Sequence, residues 1–412
     1  MSTVAVESDL DAVRAEAQDW LAQNWHGVDD PAWNRRVAEA GYAAPTWPAE
    51  DSGRGYSRAQ ARAVAAVFDA AGAPGAAREL RGFHEYPWLE LMGGPIRAYG
   101  TPEQKRELLP RLLAGEFGVG CLLYSEPGAG SDLAGLQTRA ECDGDEYVVN
   151  GQKVWTTGGH LADTALLMAR TDWDVPKHAG LSFFIFPMRQ PGVEVRPIRQ
   201  MTGDAEFNEV FLTDARVPAA NLIGGPGNGW KVLQIALGAE RRGMGEMAMG
   251  TAKTSTRPSL YALSDDLVEA ARAAGRSDDP VVRQEIMRIH AWRLTNEWNN
   301  ARALEEFRTN GASSLASLGK LANSRILHGA AALRYRLLGN RALQYDEAAD
   351  DEAYRIDYDL MFAFINSIGG GSDQIQRNII SERVLGLPKG FEPDKGVPFR
   401  DVLKADATRS LG

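Results

Sequence analysis

The 412-residue sequence predicts an α+β protein in three parts: a helical N-terminal domain, a central β-domain and a C-terminal helical bundle. Two observations carry this. Apolar residues recur with helical spacing up to about residue 118, give way to short β-prone runs after Tyr124, and return to helical spacing from Trp230 onward. The β-prone stretch is also punctuated by Asp143-Gly144 and Asn150-Gly151, the dipeptides that best tolerate the positive φ of tight hairpin turns. A chain this long supports about two or three domains, and the two switches in period select three: 1–119, 120–225 and 226–390, with 391–412 as a tail.

The first part runs from Leu10 to about Gly118, broken by Gly, Pro and Trp loops such as Gly41 to Gly55. Thr101-Pro102-Glu103-Gln104 reads as a helix start: Thr101 as N-cap, Pro102 at the first helical position, an acid in the first turn, and an end near Gly115. In the second part Thr138–Cys142, Glu146–Val149 and Gln152–Thr156 read as a three-stranded meander turning at the two dipeptides. Runs at Thr164–Ala169, Leu181–Phe186, Val193–Ile198 and Phe207–Leu212 extend it to about seven strands. In the third part Leu315, Leu318, Ala322, Ile326, Ala330, Leu333 and Leu337 share one helical stripe, and Met287, Ala291, Leu294, Trp298 and Ala301 share another. Two long amphipathic helices need partners, which a bundle supplies. The ends and the polar stretch Asp346–Asp351 are the candidates for disorder.

Composition excludes several classes. With 45 Lys+Arg against 55 Asp+Glu the net charge is −10, and no basic stripe is present for a phosphate-backbone reader. Two cysteines, Cys121 and Cys142, are too few for a disulfide framework, read as buried residues, and point to the reduced cytoplasm. Met1 to Trp25 lacks the basic start and apolar run of a secretory signal. The most apolar stretch, Leu181 to Met188, falls far short of the ~20 residues that span a bilayer. The histidines show no metal-ligand spacing.

Four constellations could carry chemistry. In Tyr124-Ser125-Glu126-Pro127-Gly128-Ala129-Gly130-Ser131-Asp132, glycines allow close backbone approach and two serines add hydroxyls, which suits a cofactor's polar atoms; the Gly-Lys-Ser/Thr ending of a phosphate loop is absent. Trp155-Thr156-Thr157 sets an indole beside hydroxyls, a fit for a planar aromatic ring with polar nitrogens. Glu240-Arg241-Arg242 interrupts an apolar helical run, and Glu240 shares a stripe with Leu233, Leu237 and Met244, where a carboxylate is costly unless paired or functional. Gly369-Gly370-Gly371-Ser372 opens a helix whose free N–H groups suit an anion or a carbonyl oxygen. Taken singly, each is also readable as a turn, a core tryptophan, a salt bridge or a capped helix.

In this order and spacing the segments resemble the acyl-CoA dehydrogenase family of flavoproteins. The most specific blocks are Ser125–Asp132, Asp145–Thr157, Glu206–Pro218 with Gly224–Trp230, and Gln374–Leu387, within a match from about 10 to 390. The resemblance implies an α-domain, a β-barrel domain and a four-helix bundle. It implies an oxidoreductase of fatty-acid or lipid β-oxidation that binds FAD, removes an α-proton from an acyl-CoA thioester, passes the β-hydrogen as hydride to FAD, and delivers electrons to an electron-transfer flavoprotein. By residue matching, Ser125, Ser131, Trp155, Thr157, Ser372 and Gln374 are cofactor-contacting positions, and Ser131 also meets substrate.

Two departures from the family pattern matter. The usual catalytic Glu before the last helix is Gly370 here, while Glu240 before Arg241 fits the isovaleryl and long-chain placement. Glu240 is therefore the expected base, Arg241 the residue orienting the thioester, and the Gly370 N–H a contact for its carbonyl. The missing side chains at 369–371 would widen the pocket for a branched or bulky acyl group. The adenine half of FAD, bound in the family across a subunit boundary, has only Arg276 and Gln284 as candidates here, so homotetramer and heterotetramer both remain open. Two rival readings are a non-catalytic partner subunit and a flavin monooxygenase on the same fold.

Overall fold

The computed structural model describes residues 3–27, 32–74, 88–248, 266–310, 313, 315–343 and 352–402; the side chains at 3–8, 239–248, 307, 308, 310, 316 and 352 are not part of that description. The stretch 346–351, expected to be disordered, lies outside it. Helices α1 (Thr3–Asn24), α2 (Trp33–Glu39), α3 (Arg58–Ala70), α4 (Trp88–Tyr99) and α5 (Pro102–Leu113) form the first part. The start of α5 is as expected: the Thr101 hydroxyl accepts from the Gln104 N–H at 3.2 Å, and the Gln104 side chain accepts from the Thr101 N–H at 2.9 Å, closing a capping box.

Eight strands follow: β1 (Gly120–Leu123), β2 (Arg139–Asp143), β3 (Glu146–Thr157), β4 (Thr164–Arg170), β5 (Leu181–Pro187), β6 (Val193–Ile198), β7 (Phe207–Pro218) and β8 (Leu222–Ile223). They form one sheet ordered β6-β7-β3-β2-β4-β5-β8, with β1 parallel to β4. β4 and β5 are buried on both faces, which is why they read as unbroken apolar runs rather than alternating ones. Leu166, Met168, Phe183 and Ile185 face the helices, while Ala165, Leu167, Phe184 and Phe186 fill a second core within the β-domain.

The meander is only half as expected. Asp143-Gly144 does turn β2 into β3, with Asp143 opposite Glu146. Asn150-Gly151 does not turn: β3 continues through it, paired with β7 on both sides of a register shift between Val149 and Gly151. The Asn150 amide exchanges hydrogen bonds with Asp214, donating to its carboxylate at 3.1 Å and accepting from its backbone N–H at 2.9 Å. At Gly151 any Cβ would stand 2.5 Å from the Thr138 hydroxyl, so the glycine serves a close strand approach. Cys121 is buried as expected, but Cys142, on β2, is exposed.

The last part comprises α6 (Gly229–Ala248), α7 (Leu267–Ala273), α8 (Pro280–Asn310), α9 (Ala316–Leu338), α10 (Glu352–Ile368) and α11 (Asp373–Ile379). Their core gathers Leu267, Val282, Ile289, Ile326, Leu327, Ala330, Leu333 and Ala363. The α9 stripe is thus core-facing at Ile326, Ala330 and Leu333. The α8 stripe is not: Met287 and Trp298 are 57% and 68% exposed, and α8 instead turns Val282, Ile289 and a buried Asn296 inward. Asn296 donates to the Asn323 side chain at 2.6 Å, so part of the inward face is polar and the cleaner apolar stripe points out.

The expected tail is also partly built in. Phe399 N–H donates to the Val175 carbonyl and Arg400 N–H to the Trp173 carbonyl, both at 3.0 Å, which seats residues 398–400 against the β-domain. Phe399 is buried and lies under the Arg170 guanidinium, 3.6 Å from its ring centre. Among the described residues no helix is long and apolar enough to cross a membrane, and no cluster of three or more His, Cys, Asp or Glu could hold a metal.

Candidate active site

The glycine-rich loop after β1 is fixed from beneath by a buried ion pair. Glu126, 9% exposed, accepts from the Gln137 N–H at 2.6 Å, the Thr138 N–H at 2.8 Å and Lys153 Nζ at 2.8 Å. Lys153, on β3, is wholly buried and also donates to the Tyr124 carbonyl at 3.1 Å. Burial pulls the carboxyl upward, but the Lys153 ammonium and these hydrogen bonds outweigh it and hold Glu126 below the usual carboxylate range. Burial lowers Lys153 from its ordinary value, against the opposing pull of Glu126. Glu126 and Ala129 exchange backbone hydrogen bonds at 3.0 Å, making a tight turn that leaves Gly128 and Gly130 facing open space, with nothing within 4 Å of a Cβ at either. Ser125 O accepts from the Val154 N–H at 3.0 Å, so the loop is stitched to the strand that carries Trp155.

Trp155 is the most strained non-glycine feature of this region, with φ of +61° and 58% exposure. Its setting explains both. Lys153 pairs with Val210 and Thr156 with Asn208, so three residue steps of β3 oppose two of β7, which makes a bulge at residues 154–155. The extra residue reverses the alternation, turning Thr156 into the core and the indole out, edge-on to Phe207 at 6.0 Å between ring centres. A non-glycine residue held there costs about 1–3 kcal/mol and persists only where its surroundings over-determine it. An exposed, braced aromatic face beside the Thr157 hydroxyl fits a flat ring system.

The fourth constellation meets the first. Ser372 caps α11, its hydroxyl accepting from the Ile375 N–H at 3.4 Å, and stands 3.4 Å from the Ser131 hydroxyl across 241 residues of sequence. Gly370 and Gly371 precede it at φ +63° and +88°. The Gln376 side-chain amide, fully buried, reaches back to donate to the carbonyls of Gly370 at 3.2 Å and Gly371 at 3.4 Å, which sets the loop's path. Asp373 accepts from Ser324 at 2.9 Å and lies 3.5 Å from the buried Lys320 ammonium, tying α11 to α9. Asp132, next to Ser131, is paired with Lys177 at 2.8 Å. The groups converging here are two hydroxyls, a helix N-terminus and an open glycine loop, a donor set suited to a diphosphate or similar polar ligand.

Of the expected site residues, Ser125, Ser131 and Ser372 are thereby joined through the loop, Trp155 and Thr157 through β3, and Gln374 sits exposed on the first turn of α11. Arg276 and Gln284 are placed elsewhere: both are exposed near the start of α8, Arg276 paired with Asp279, and neither bonds to this group among the described residues. The backbone of α6 carries Glu240 and Arg241, but their side chains lie outside the described residues. Sequence reasoning missed Lys153, Gln376, Lys320 and Arg170. Arg170 is fully buried and donates to the carbonyls of Ala134 at 2.7 Å, Leu136 at 3.2 Å and Lys177 at 3.0 Å, organising the stretch that follows Ser131. The available signal was a charged residue on an inward strand position, as at Lys153 and Arg170.

Similarity to known proteins agrees with this architecture. The models for the acyl-CoA dehydrogenase N-terminal, middle and C-terminal domains match residues 10–116, 121–215 and 227–385. Acyl-CoA dehydrogenase IpdE1 of Mycobacterium tuberculosis is 38% identical over 407 residues, covering 92% of this chain and 98% of that protein. Acyl-CoA dehydrogenase FadE26 of the same organism is 33% identical, covering 86% and 87%. Among solved structures, one described as Tcur3481-Tcur3483 steroid ACAD superposes with a TM-score of 0.67 at 26% identity, covering 95% of this chain and 99% of that one. The ChsE4-ChsE5 complex from Mycobacterium tuberculosis gives 0.64 at 29%, covering 93% and 98%. Three domain models in register along the chain and a relative aligned over nearly its whole length lead to one conclusion: this protein belongs to the acyl-CoA dehydrogenase family.

Proposed function

We propose that the protein is an FAD-dependent dehydrogenase that converts an acyl-CoA thioester to its trans-2-enoyl-CoA, with a branched or bulky acyl group as substrate. The observation that carries this is the junction of Ser131 with Ser372 on a glycine loop that is stitched at Ser125 to the strand carrying the exposed, bulge-mounted Trp155, which would offer a polar end and a flat apolar end to one elongated ligand. Bound FAD would supply the hydride acceptor for the β-hydrogen, which electron-transfer flavoprotein would then relieve of its electrons. Trp155 would pack the ring, Thr157 and Ser125 would meet its polar edge, and Ser131, Ser372 and Gln374 would hold the remainder.

The residues of the chain do the proton work. Acyl thioester α-carbons are weak acids, so a base and a carbonyl-polarising donor are both required. Position 370 is glycine and provides only an N–H, so the base falls to Glu240 on α6, with Arg241 orienting the thioester. A Cβ at Gly369 or Gly371 would meet the Ile365 carbonyl or the Gln376 amide, so any room for a bulky acyl group would come from the missing side chain at Gly370; one structural neighbour is described as a steroid ACAD. The test is anaerobic titration with straight-chain, branched and steroid-side-chain acyl-CoA thioesters, following flavin bleaching. Glu240→Gln should retain FAD and lose bleaching by at least about 10²-fold in rate. Bleaching at the unaltered rate would place the base elsewhere, and a preference for short straight chains would refute the bulky substrate.

The uncovered α8 stripe supports assembly through the bundle. Val281, Met287 and Trp298 are 62%, 57% and 68% exposed along one helix, and Gln284 lies among them. A second copy or a related chain docked there would cover this face and Gln284 on it, which with Arg276 is the candidate contact to a neighbour's cofactor.

A further inference from the structure

We infer that Asn208 is a positioning residue for the flavin edge, a role that rests on the cofactor lying against Trp155 and Thr157. Asn208, on β7, is fully buried, and its side chain bonds to three groups that flank Thr157: the end of β3, the residue before β7 and His160. Its amide donates to the Thr156 carbonyl at 2.8 Å and to the Glu206 carbonyl at 2.9 Å. With both protons committed, its oxygen is left to accept from His160 Nδ1, 3.2 Å away, which assigns that ring nitrogen its hydrogen. The Glu206 carbonyl accepts a second time, from the Gly158 N–H at 2.8 Å.

The consequence is a bracket around a single residue. The peptide before Thr157 is held at the Thr156 oxygen, and the peptide after it at the Gly158 nitrogen, and both holds converge on the Asn208–Glu206 pair. Gly159 packs directly on this knot, where a Cβ would be 3.0 Å from the Thr156 side chain and 3.5 Å from that of Asn208. Immediately upstream is the bulge with Trp155 at positive φ, a conformation the ladder alone would relax. Asn208 thus fixes the direction of the Thr157 hydroxyl and amide and the angle of the indole, without touching the ring itself. Aspartate, of the same size, would not do this, because it would aim an oxygen rather than a donor at two carbonyls.

The experiment uses the full-length chain and compares Asn208→Asp, Asn208→Ala and the milder His160→Ala with Trp155→Ala and Thr157→Ala. FAD affinity is read by fluorescence titration of the apoprotein, and the flavin's visible band shape and midpoint potential are read on the reconstituted protein. Asn208→Asp and Asn208→Ala should each weaken FAD binding about tenfold or more and alter band shape and potential, as loss of one to two buried hydrogen bonds predicts. His160→Ala should shift the same readouts in the same direction by less, and it covers the case in which the Asn208 variants fold poorly. If Trp155→Ala and Thr157→Ala move the flavin's spectrum while Asn208→Asp and His160→Ala leave affinity, band shape and potential at wild-type values, the positioning role is overturned and the cofactor placement stands. If neither Trp155→Ala nor Thr157→Ala moves them, the placement itself fails and the inference falls with it.

Discussion

The buried pair beneath the glycine loop gives a prediction that can be worked through in magnitude. Replacing Glu126 with glutamine keeps the volume but removes the charge opposite Lys153, which is wholly buried and then has no anionic partner among its bonded groups, only neutral oxygens such as the Tyr124 carbonyl. Glutamine also offers one acceptor oxygen where the carboxylate uses two, so its amide must face the Gln137 or Thr138 N–H. Breaking a buried pair from one side costs about 3–5 kcal/mol, against about 0–1 kcal/mol for an exposed pair. In a three-domain chain a global unfolding energy is poorly defined, so the loss is best read locally, as native-state amide exchange at Gln137 and Thr138. At about 1.4 kcal/mol per decade, exchange there should accelerate roughly 10²- to 4 × 10³-fold, with strand amides of β5 unaffected. The double variant Glu126→Gln/Lys153→Met should recover much of the loss, because it removes the stranded ammonium as well. The sign with pH follows from the two shifts. Glu126 sits below its free value, so its contribution is complete above about pH 4.3 and is lost as pH falls toward the folded value. Lys153 is also lowered, so the penalty for burying its ammonium is present at neutral pH and fades as pH rises through the lowered value toward about 10.4. An acceleration under about tenfold in Glu126→Gln would mean that water reaches the pair, and the argument would fail.

Three further outcomes follow from the same geometry. Gln376→Leu should free the carbonyls of Gly370 and Gly371 and lower kcat/KM about tenfold while α11 itself persists by circular dichroism, since the two donations it removes shape the loop rather than the helix. Phe399→Ala should uncover the Arg170 guanidinium and destabilise the docked C-terminal segment by about 3–5 kcal/mol, read as faster proteolysis beyond residue 396 and faster exchange at 134–137. Met287→Glu combined with Trp298→Glu should leave the helical signal intact and shift native mass toward smaller assemblies; an unchanged mass would assign the α8 face to solvent.

What the sequence disclosed and what it withheld divide by distance along the chain. The α5 start and the β2–β3 turn rest on contacts three residues apart, and local chemistry spells both out. The Glu126–Lys153 pair spans 27 residues and the Asn208 clamp 52, and neither leaves a periodic trace. The α8 stripe was legible as apolar but not as outward, because amphipathicity reports that a face needs cover without saying whether its own chain provides it. The inward face of α8 was obscured by Asn296, a polar residue whose partner Asn323 lies on another helix. At Asn150-Gly151 a strong turn signal lost to tertiary context: the Asn150 amide bonds to Asp214 instead of folding back, and β3 continues.

The chain's acidity also looks different at the site than it does overall. A protein of net charge −10 that binds FAD and a CoA thioester would face unfavourable fields if its carboxylates stood bare near the diphosphates. The three carboxylates in the two loops that bring Ser131 and Ser372 together are each matched to a lysine: Glu126 to Lys153, Asp132 to Lys177, and Asp373 to Lys320. Two of those lysines are buried, at 0% and 8% side-chain exposure, so salt screens them little and the neutralisation is part of the fold rather than of the solvent. With the carboxylates cancelled in place, the N–H groups at the start of α11 and the open glycine loop set the local potential. The ten excess negative charges are then carried by other surfaces, where they cost the ligands little beyond a Debye length of about 8 Å.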